Sequence, residues 1–175
     1  MDVRRSFRTN WVLPVAAVLA VLAAGYAVLA GGWWWSASTN DSVAFSRERD
    51  EVLRVGQVGI ANFTTLDYKR VDEDLKRWLD SSTGELRSEI ENGRDSRKKQ
   101  IEDAKTTTVS RVLDAAVTEL DSRAGKAHLI AVVETTVTPE GGQAVKKVNR
   151  YQTDLARTDA GWKLSALGPV AAGGA

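Results

Sequence analysis

Apolar and polar positions follow three different rhythms along this chain. From Trp11 to Ala30 twenty residues pass without a charge, WVLPVAAVLAVLAAGYAVLA. At about 1.5 Å per residue, a helix of that length spans roughly 30 Å, the thickness of a bilayer's hydrocarbon core. Trp11 opens the run and Trp33, Trp34 and Trp35 follow it, so a transmembrane helix is predicted over 11–35. Next comes helical spacing. Val52, Val55, Gly59 and Phe63, with Phe45 and Arg49 earlier on the same stripe, predict a helix that starts polar (Arg47, Glu48, Asp50, Glu51) and becomes buried later. Val71, Leu75, Trp78 and Leu79 predict a second helix. A third, highly charged one runs from about Thr83 to Ala104 and turns Leu86, Ile90 and Ile101 inward. Its middle, Gly93 to Gln100, has no apolar residue and is expected to be exposed. After Lys105 the period falls to about two. Thr106–Leu120 alternates through Val109, Arg111, Leu113, Ala115 and Val117, and the runs Ala127–Val137, Val145–Arg157 and Trp162–Leu167 complete four strands.

The punctuation agrees with these boundaries. Thr64-Thr65-Leu66-Asp67 supplies a break and a candidate cap, and Ser82-Thr83-Gly84-Glu85 reads as a capping box. Gly125, Pro139-Glu140-Gly141-Gly142 and Thr158-Asp159-Ala160-Gly161 mark turns between strands. Three helices followed by four tightly connected strands imply an α+β domain, an antiparallel sheet with helices packed on one face. The expected organisation is a cytoplasmic N-terminus at 1–10, the transmembrane helix at 11–35, a hinge at 36–42, one extracytoplasmic domain at 43–170 and a flexible tail at 171–175.

Charge placement sets the expected orientation. The net charge is +1; Arg4, Arg5 and Arg8 against Asp2 give the first forty residues +2 and leave −1 for the rest. Three arginines before the span, with Arg47 the next basic residue after it, keep the N-terminus cytoplasmic under the positive-inside bias. Trp11, Trp33, Trp34 and Trp35 are then residues of the membrane interface, or of contact with a partner's transmembrane helix. The rival reading is a cleaved export signal, with Arg4-Arg5-Ser6-Phe7 partly resembling a twin-arginine motif and Ser36-Ala37-Ser38 a cleavage site. Against it stand the length of the apolar run and the three tryptophans where cleavage would fall.

The remaining chemistry is sparse. There is no cysteine, which excludes disulfides, thiolate metal sites and cysteine nucleophiles. A nearly neutral main domain lacks the positive field that nucleic acid requires. The single histidine, His128, falls within the second strand and has no GxSxG elbow to serve; an imidazole on the outer sheet face or at a pocket edge is its expected role. Asp72-Glu73-Asp74 splay about 100° apart on a helix and read as a solvated face. Arg94, Arg97, Lys98 and Lys99 interleave with acids and read as a soluble helix face. Neither Gly31-Gly32 nor Gly141-Gly142 belongs to a phosphate loop. No catalytic, cofactor-binding or metal site is expected, and the chain reads as a non-enzyme.

One resemblance extends this reading. The segment Phe63-Thr64-Thr65-Leu66-Asp67-Tyr68-Lys69-Arg70-Val71-Asp72-Glu73-Asp74-Leu75 resembles the Mce-associated membrane proteins of actinobacteria. So do Ser82-Thr83-Gly84-Glu85-Leu86 and the closing Gly161-Trp162-Lys163-Leu164-Ser165-Ala166-Leu167-Gly168-Pro169-Val170. The resemblance implies a cone similar to nuclear transport factor 2 (NTF2-like, SnoaL-like), with about three helices and a four-stranded curved sheet. It also implies an accessory or stabilising role in an Mce-type lipid import system of the cell envelope. The expected partners are then the lipid bilayer and Mce transporter subunits or other membrane proteins. The alternative is a lipid- or small-molecule-binding cone with isomerase- or dehydratase-type activity. That reading needs Asp67, Tyr68, Tyr151 and Asp154 to share an apolar cavity.

Overall fold

The computed structural model describes residues 25–26 and 41–170. Two compact units are distinguished, Met1–Ala44 and Phe45–Ala175. Of the first, Gly25, Tyr26 and residues 41–44 are described, and all are helical. The tail at 171–175 and the expected span at 11–35, with Arg4, Arg5, Arg8, Trp11, Trp33, Trp34 and Trp35, otherwise lie outside the described residues. Among the described residues no helix is long and apolar enough to cross a membrane.

Among the described residues from Asp41 on, four helices precede the main strands: α1 (Asp41–Thr64), α2 (Val71–Ser81), α3 (Gly84–Asn92) and α4 (Arg94–Ala104). The strands are β1 (Leu66–Asp67), β2 (Thr106–Asp121), β3 (Lys126–Pro139), β4 (Val145–Thr158) and β5 (Gly161–Pro169). They form one sheet in the order β1-β2-β3-β4-β5, antiparallel throughout. This is the α+β, NTF2-like fold that the resemblance implies, with four helices for the expected three and a two-residue strand, β1, added to the expected four. Asp41 and Ser42 belong to α1 rather than to the hinge.

The core lies where α1 crosses the sheet. Val52 and Ile60 are fully buried against Leu129, Val133, Leu155 and Leu164, with Trp162 and alanines of β3 alongside. The predicted α1 stripe packs on the core from Val52 to Phe63, with Gly56 and Ile60 belonging to it as well, while Phe45 and Arg49 at its start are exposed. A second cluster, Val71, Leu75 and Ile90, holds α2 to α3 and gathers Phe63, Trp78, Leu86 and Ile101.

Three local expectations are corrected. The third predicted helix breaks at Gly93, which closes α3 and opens α4; an apolar-free stretch has nothing to hold it on one axis. The capping box does not form. Thr83 is the N-cap, without a side-chain bond, while Ser82 is buried, its hydroxyl donates to the Leu79 carbonyl, and it bridges to Leu164 of β5. The third concerns β2. A strict alternation places Val109, Leu113, Ala115 and Val117 on one face, but register shifts lie between Val112 and Asp114 and between Val117 and Glu119. Each extra residue inverts the parity of the strand. Val112, then Ala115 and Val117, then Leu120 pack on the core, while Val109 and Leu113 stand 59% and 46% exposed.

Candidate functional site

Two places concentrate chemistry. The first is the junction of α1, β1 and α2, built from the segment that carries the resemblance. Thr65 follows α1, and Leu66 and Asp67 pair with Thr108 and Thr107 at the margin of β2. The Asp67 carboxylate accepts the Lys69 amide at 3.0 Å, so it closes a local turn instead of capping α2, whose N-cap is Arg70. That amide bond, with Arg70 close by, lowers the Asp67 pKa.

Asp74 corrects the reading of 72–74 as one solvated face. It is 3% exposed, accepts the Asp67 amide at 2.6 Å and pairs with Arg77. Asp72 does face solvent, where Lys98 and Arg94 of α4 draw down its pKa and tie α4 to α2. The basic patch is thus partly neutralised in place. Phe63 and Trp78 stack with centroids 5.6 Å apart, and the Trp78 indole N–H donates to the Asn62 carbonyl at 2.9 Å. Each of these contacts fixes backbone, and none presents a reactive group to a cavity.

The second place is the sheet face turned away from the helices. Register sets its rows: Arg111, Glu134 and Val148; Asp114, Val132 and Arg150; Ala116, Ile130 and Gln152; Glu119, His128 and Asp154. Glu134 lies 3.5 Å from both Arg111 and Lys146. Ala116, Ile130, Val132 and Val170 form the apolar floor of a shallow groove of about 230 Å³, with Asp114 and Arg150 at its sides. Ile130 is exposed, as are Val109 and Leu113 on the same strands. His128 sits on this face, as expected, with Nδ1 against the Asp154 carboxylate across the strand pair.

The four residues required by a catalytic cone do not converge. Asp67 serves the helix junction, and the Tyr68 hydroxyl donates to Glu140 at 2.7 Å on the surface. Tyr151 packs against the core cluster, and Asp154 lies on the opposite face with His128. The Glu140 bond raises the Tyr68 pKa, and Tyr68 and Lys105 lower that of Glu140. Among the described residues no cluster of three or more histidine or carboxylate side chains could hold a metal ion.

Reasoning from sequence missed the apolar outer face. The signal was present: Ala127-His128-Leu129-Ile130-Ala131-Val132-Val133 is nearly continuous in apolar residues, the pattern of a strand with apolar side chains on both faces. The expected interface and topology residues Trp11, Trp33, Trp34, Trp35, Arg4, Arg5 and Arg8 lie outside the described residues.

Among solved structures, this fold is similar to an IcmL-like type IV secretion system protein from Legionella pneumophila. The TM-score is 0.57 at 11% identity, covering 73% of this chain and 96% of that one. The periplasmic domain of DotI gives 0.56 at 11% identity over 68% and 94% of the two chains. CagV, a VirB8 homolog of the type IV secretion system from Helicobacter pylori, gives 0.51 at 10% identity over 68% and 95%. In sequence, the uncharacterized protein Rv1363c of Mycobacterium tuberculosis is 27% identical over 163 residues, covering 80% of this chain. The chain spans 60% of the length of that relative. The family model described as "uncharacterized protein Rv1363c/MT1408-like" matches residues 11–170, almost the whole sequence. The chain therefore belongs to the Rv1363c/MT1408-like family.

Proposed function

We propose that this chain is a non-enzymatic accessory subunit of a multi-protein assembly in the cell envelope, acting through protein–protein contacts. The observation that carries this reading is the outer sheet face. It leaves Val109, Leu113, Ile130 and Val148 exposed between charged rows, while the helix-facing side is filled by Leu129, Val133, Leu155 and Leu164. An apolar patch rimmed by charge is what a docking surface needs, whereas a catalytic cone needs an open interior lined by paired ionisable groups. The solved relatives named above as type IV secretion system proteins are components of multi-protein machines, which supports a role in assembly.

The finer reading is that the assembly is an Mce-type lipid importer. Residues 11–35 would anchor the chain as a single-pass protein with its N-terminus in the cytoplasm and the domain outside. Trp11, Trp33, Trp34 and Trp35 would sit at the two interfaces of the bilayer, and Arg4, Arg5 and Arg8 would hold the N-terminus inside. Support for the importer comes from the motifs at 63–75, 82–86 and 161–170.

Affinity purification of the full chain in mild detergent, with mass spectrometry of what travels with it, tests both levels. Permease or substrate-binding subunits of an Mce system should co-purify, and their assembled level should fall when the gene is deleted. Unchanged assembly and unchanged lipid uptake in the deletion strain would sink the importer reading. A chain that purifies alone would sink the accessory reading too.

A further inference from the structure

Among the described residues, the first part of β4 has a partner strand on one side only. β5 begins its pairing with β4 at Tyr151, opposite Pro169, and the Val170 amide donates to the Arg150 carbonyl at 3.0 Å. Among the described residues, β4 upstream of Arg150 is paired only with β3, from Val145 opposite Val137 to Asn149 opposite Val133. Every residue from Val145 to Arg150 is exposed, including Lys147 and Asn149 on the side where the helices lie elsewhere. Val145 and Val148 are 51% and 60% exposed. Backbone polarity alternates along a strand, and the Arg150 carbonyl points toward β5. The N–H and C=O groups of Val148 and Lys146 therefore point to the open side.

The side chains on this edge are chemically biased. Lys146, Lys147 and Arg150 bring three positive charges into six residues, with no acid among them. Only Lys146 has an acidic neighbour, Glu134, which it shares with Arg111; Lys147 and Arg150 make no ion pair among the described residues. Lysines on an edge oppose pairing with an identical edge. In an antiparallel β4–β4 pairing of two copies, the lysines of each would face those of the other. A second copy is therefore disfavoured, and a strand of opposite charge is favoured.

We propose that the β4 edge from Val145 to Asn149 accepts an extended segment of a partner protein as an added strand. The inference rests on the reading of the chain as a protein-contact module, and needs neither the membrane anchor nor lipid import. Main-chain bonds to Lys146 and Val148 would supply the attachment, and side chains the selection. Neighbours opposite Val145, Lys146, Lys147 and Val148 fit best as apolar, acidic, acidic and apolar. The partner segment is thus a β-prone stretch with two adjacent acidic residues between aliphatic ones.

The test uses the full chain in mild detergent and a synthetic peptide, threonine-valine-glutamate-glutamate-valine-threonine, with a lysine-for-glutamate version as control. Fluorescence anisotropy should show saturable binding of the acidic peptide only, weakening as salt is raised. Hydrogen–deuterium exchange should slow in 145–149 on binding. The double variant Lys146→Glu, Lys147→Glu should weaken binding by about tenfold or more. Val148→Pro removes an edge donor at a position where proline is tolerated, and should abolish binding; if it unfolds the domain, the lysine reversals decide. No binding by the parent chain would overturn the proposal, as would equal binding of the lysine peptide. Binding that survives Val148→Pro in a folded domain would also overturn it, because the attraction would then be charge without strand pairing. Protection of 145–149 before any peptide is added would mean that the edge is already filled, by residues after Val170 or by a second copy. That too overturns the proposal, and sedimentation would tell the two apart. Failure to co-purify with Mce subunits leaves this proposal standing, and failure of the peptide leaves the accessory reading standing.

Discussion

Gly59 of α1 and Leu164 of β5 meet so closely that a methyl group on Gly59 would lie 2.3 Å from Leu164 Cδ1. Three residues earlier, one on Gly56 would lie 2.6 Å from Leu129 Cδ1. Both leucines are fully buried, so neither can swing its methyl groups into open space. The two glycines are what let α1 lie directly on the sheet.

Replacing Gly59 by alanine sets two effects against each other. The helix gains about 1 kcal/mol of intrinsic preference, while overpacking a closed core costs roughly 1–3 kcal/mol. The clash is expected to win, making Gly59→Ala destabilising by about 1 kcal/mol, with Gly56→Ala in the same direction. Urea unfolding of the full chain in detergent checks this; a higher midpoint for either variant would show that the core yields.

Asp74 is expected to be the most sensitive polar residue of the domain. Its carboxylate takes the Asp67 amide and the Arg77 guanidinium while almost wholly buried. Asp74→Ala leaves both donors unmatched and should cost about 2–4 kcal/mol. Asp74→Asn retains an acceptor oxygen and should cost clearly less. Equal losses in thermal unfolding would contradict this account.

The Trp78 pair separates stacking from hydrogen bonding. Trp78→Phe keeps a ring over Phe63 but loses the bond to the Asn62 carbonyl, for about 1 kcal/mol. Trp78→Ala loses both, together with the packing on Val71, Leu75 and Ile90, for about 3 kcal/mol. Denaturation midpoints of the two variants provide the measurement.

Stability should fall at both ends of the pH scale. Asp67, Asp72 and Glu140 have folded pKa values below their ordinary 3.8, 3.8 and 4.5. Their contributions are therefore present above those ordinary values and lost as pH falls through the lower folded ones. Tyr68 and Lys98 are raised above 10.0 and 10.5, so theirs hold below those values and are lost as pH rises through the folded ones. These groups lie at the surface, so the limbs should be shallow and salt-sensitive. Glu140→Gln should flatten the acid limb; an unchanged profile would place its cause elsewhere.

The depth to which the sequence was readable varies by residue. β3 is legible from its β-branched composition to within two residues at either end, and α1 from the Val52–Phe63 stripe, because both signals are local. The two-residue strand at Leu66–Asp67 carries no period, and exists because the junction brings it beside Thr107 and Thr108. His128 was legible as an outer-face residue. Its pairing with Asp154 was not, since that contact is set by the register of β3 on β4.

Taken alone, the sequence determined a helical half followed by four long strands, the turns between those strands, the inward stripe of α1 and a twenty-residue uncharged run near the N-terminus. These follow from side-chain spacing and the special backbone preferences of glycine and proline, which act over a few residues. The tertiary structure alone decided which face each β2 residue occupies, that Asp74 is buried while Asp72 is not, and where β5 stops along β4. Such outcomes turn on register, bulges and the approach of distant segments, where a shift of one residue exchanges inside for outside and no short stretch of sequence records the choice.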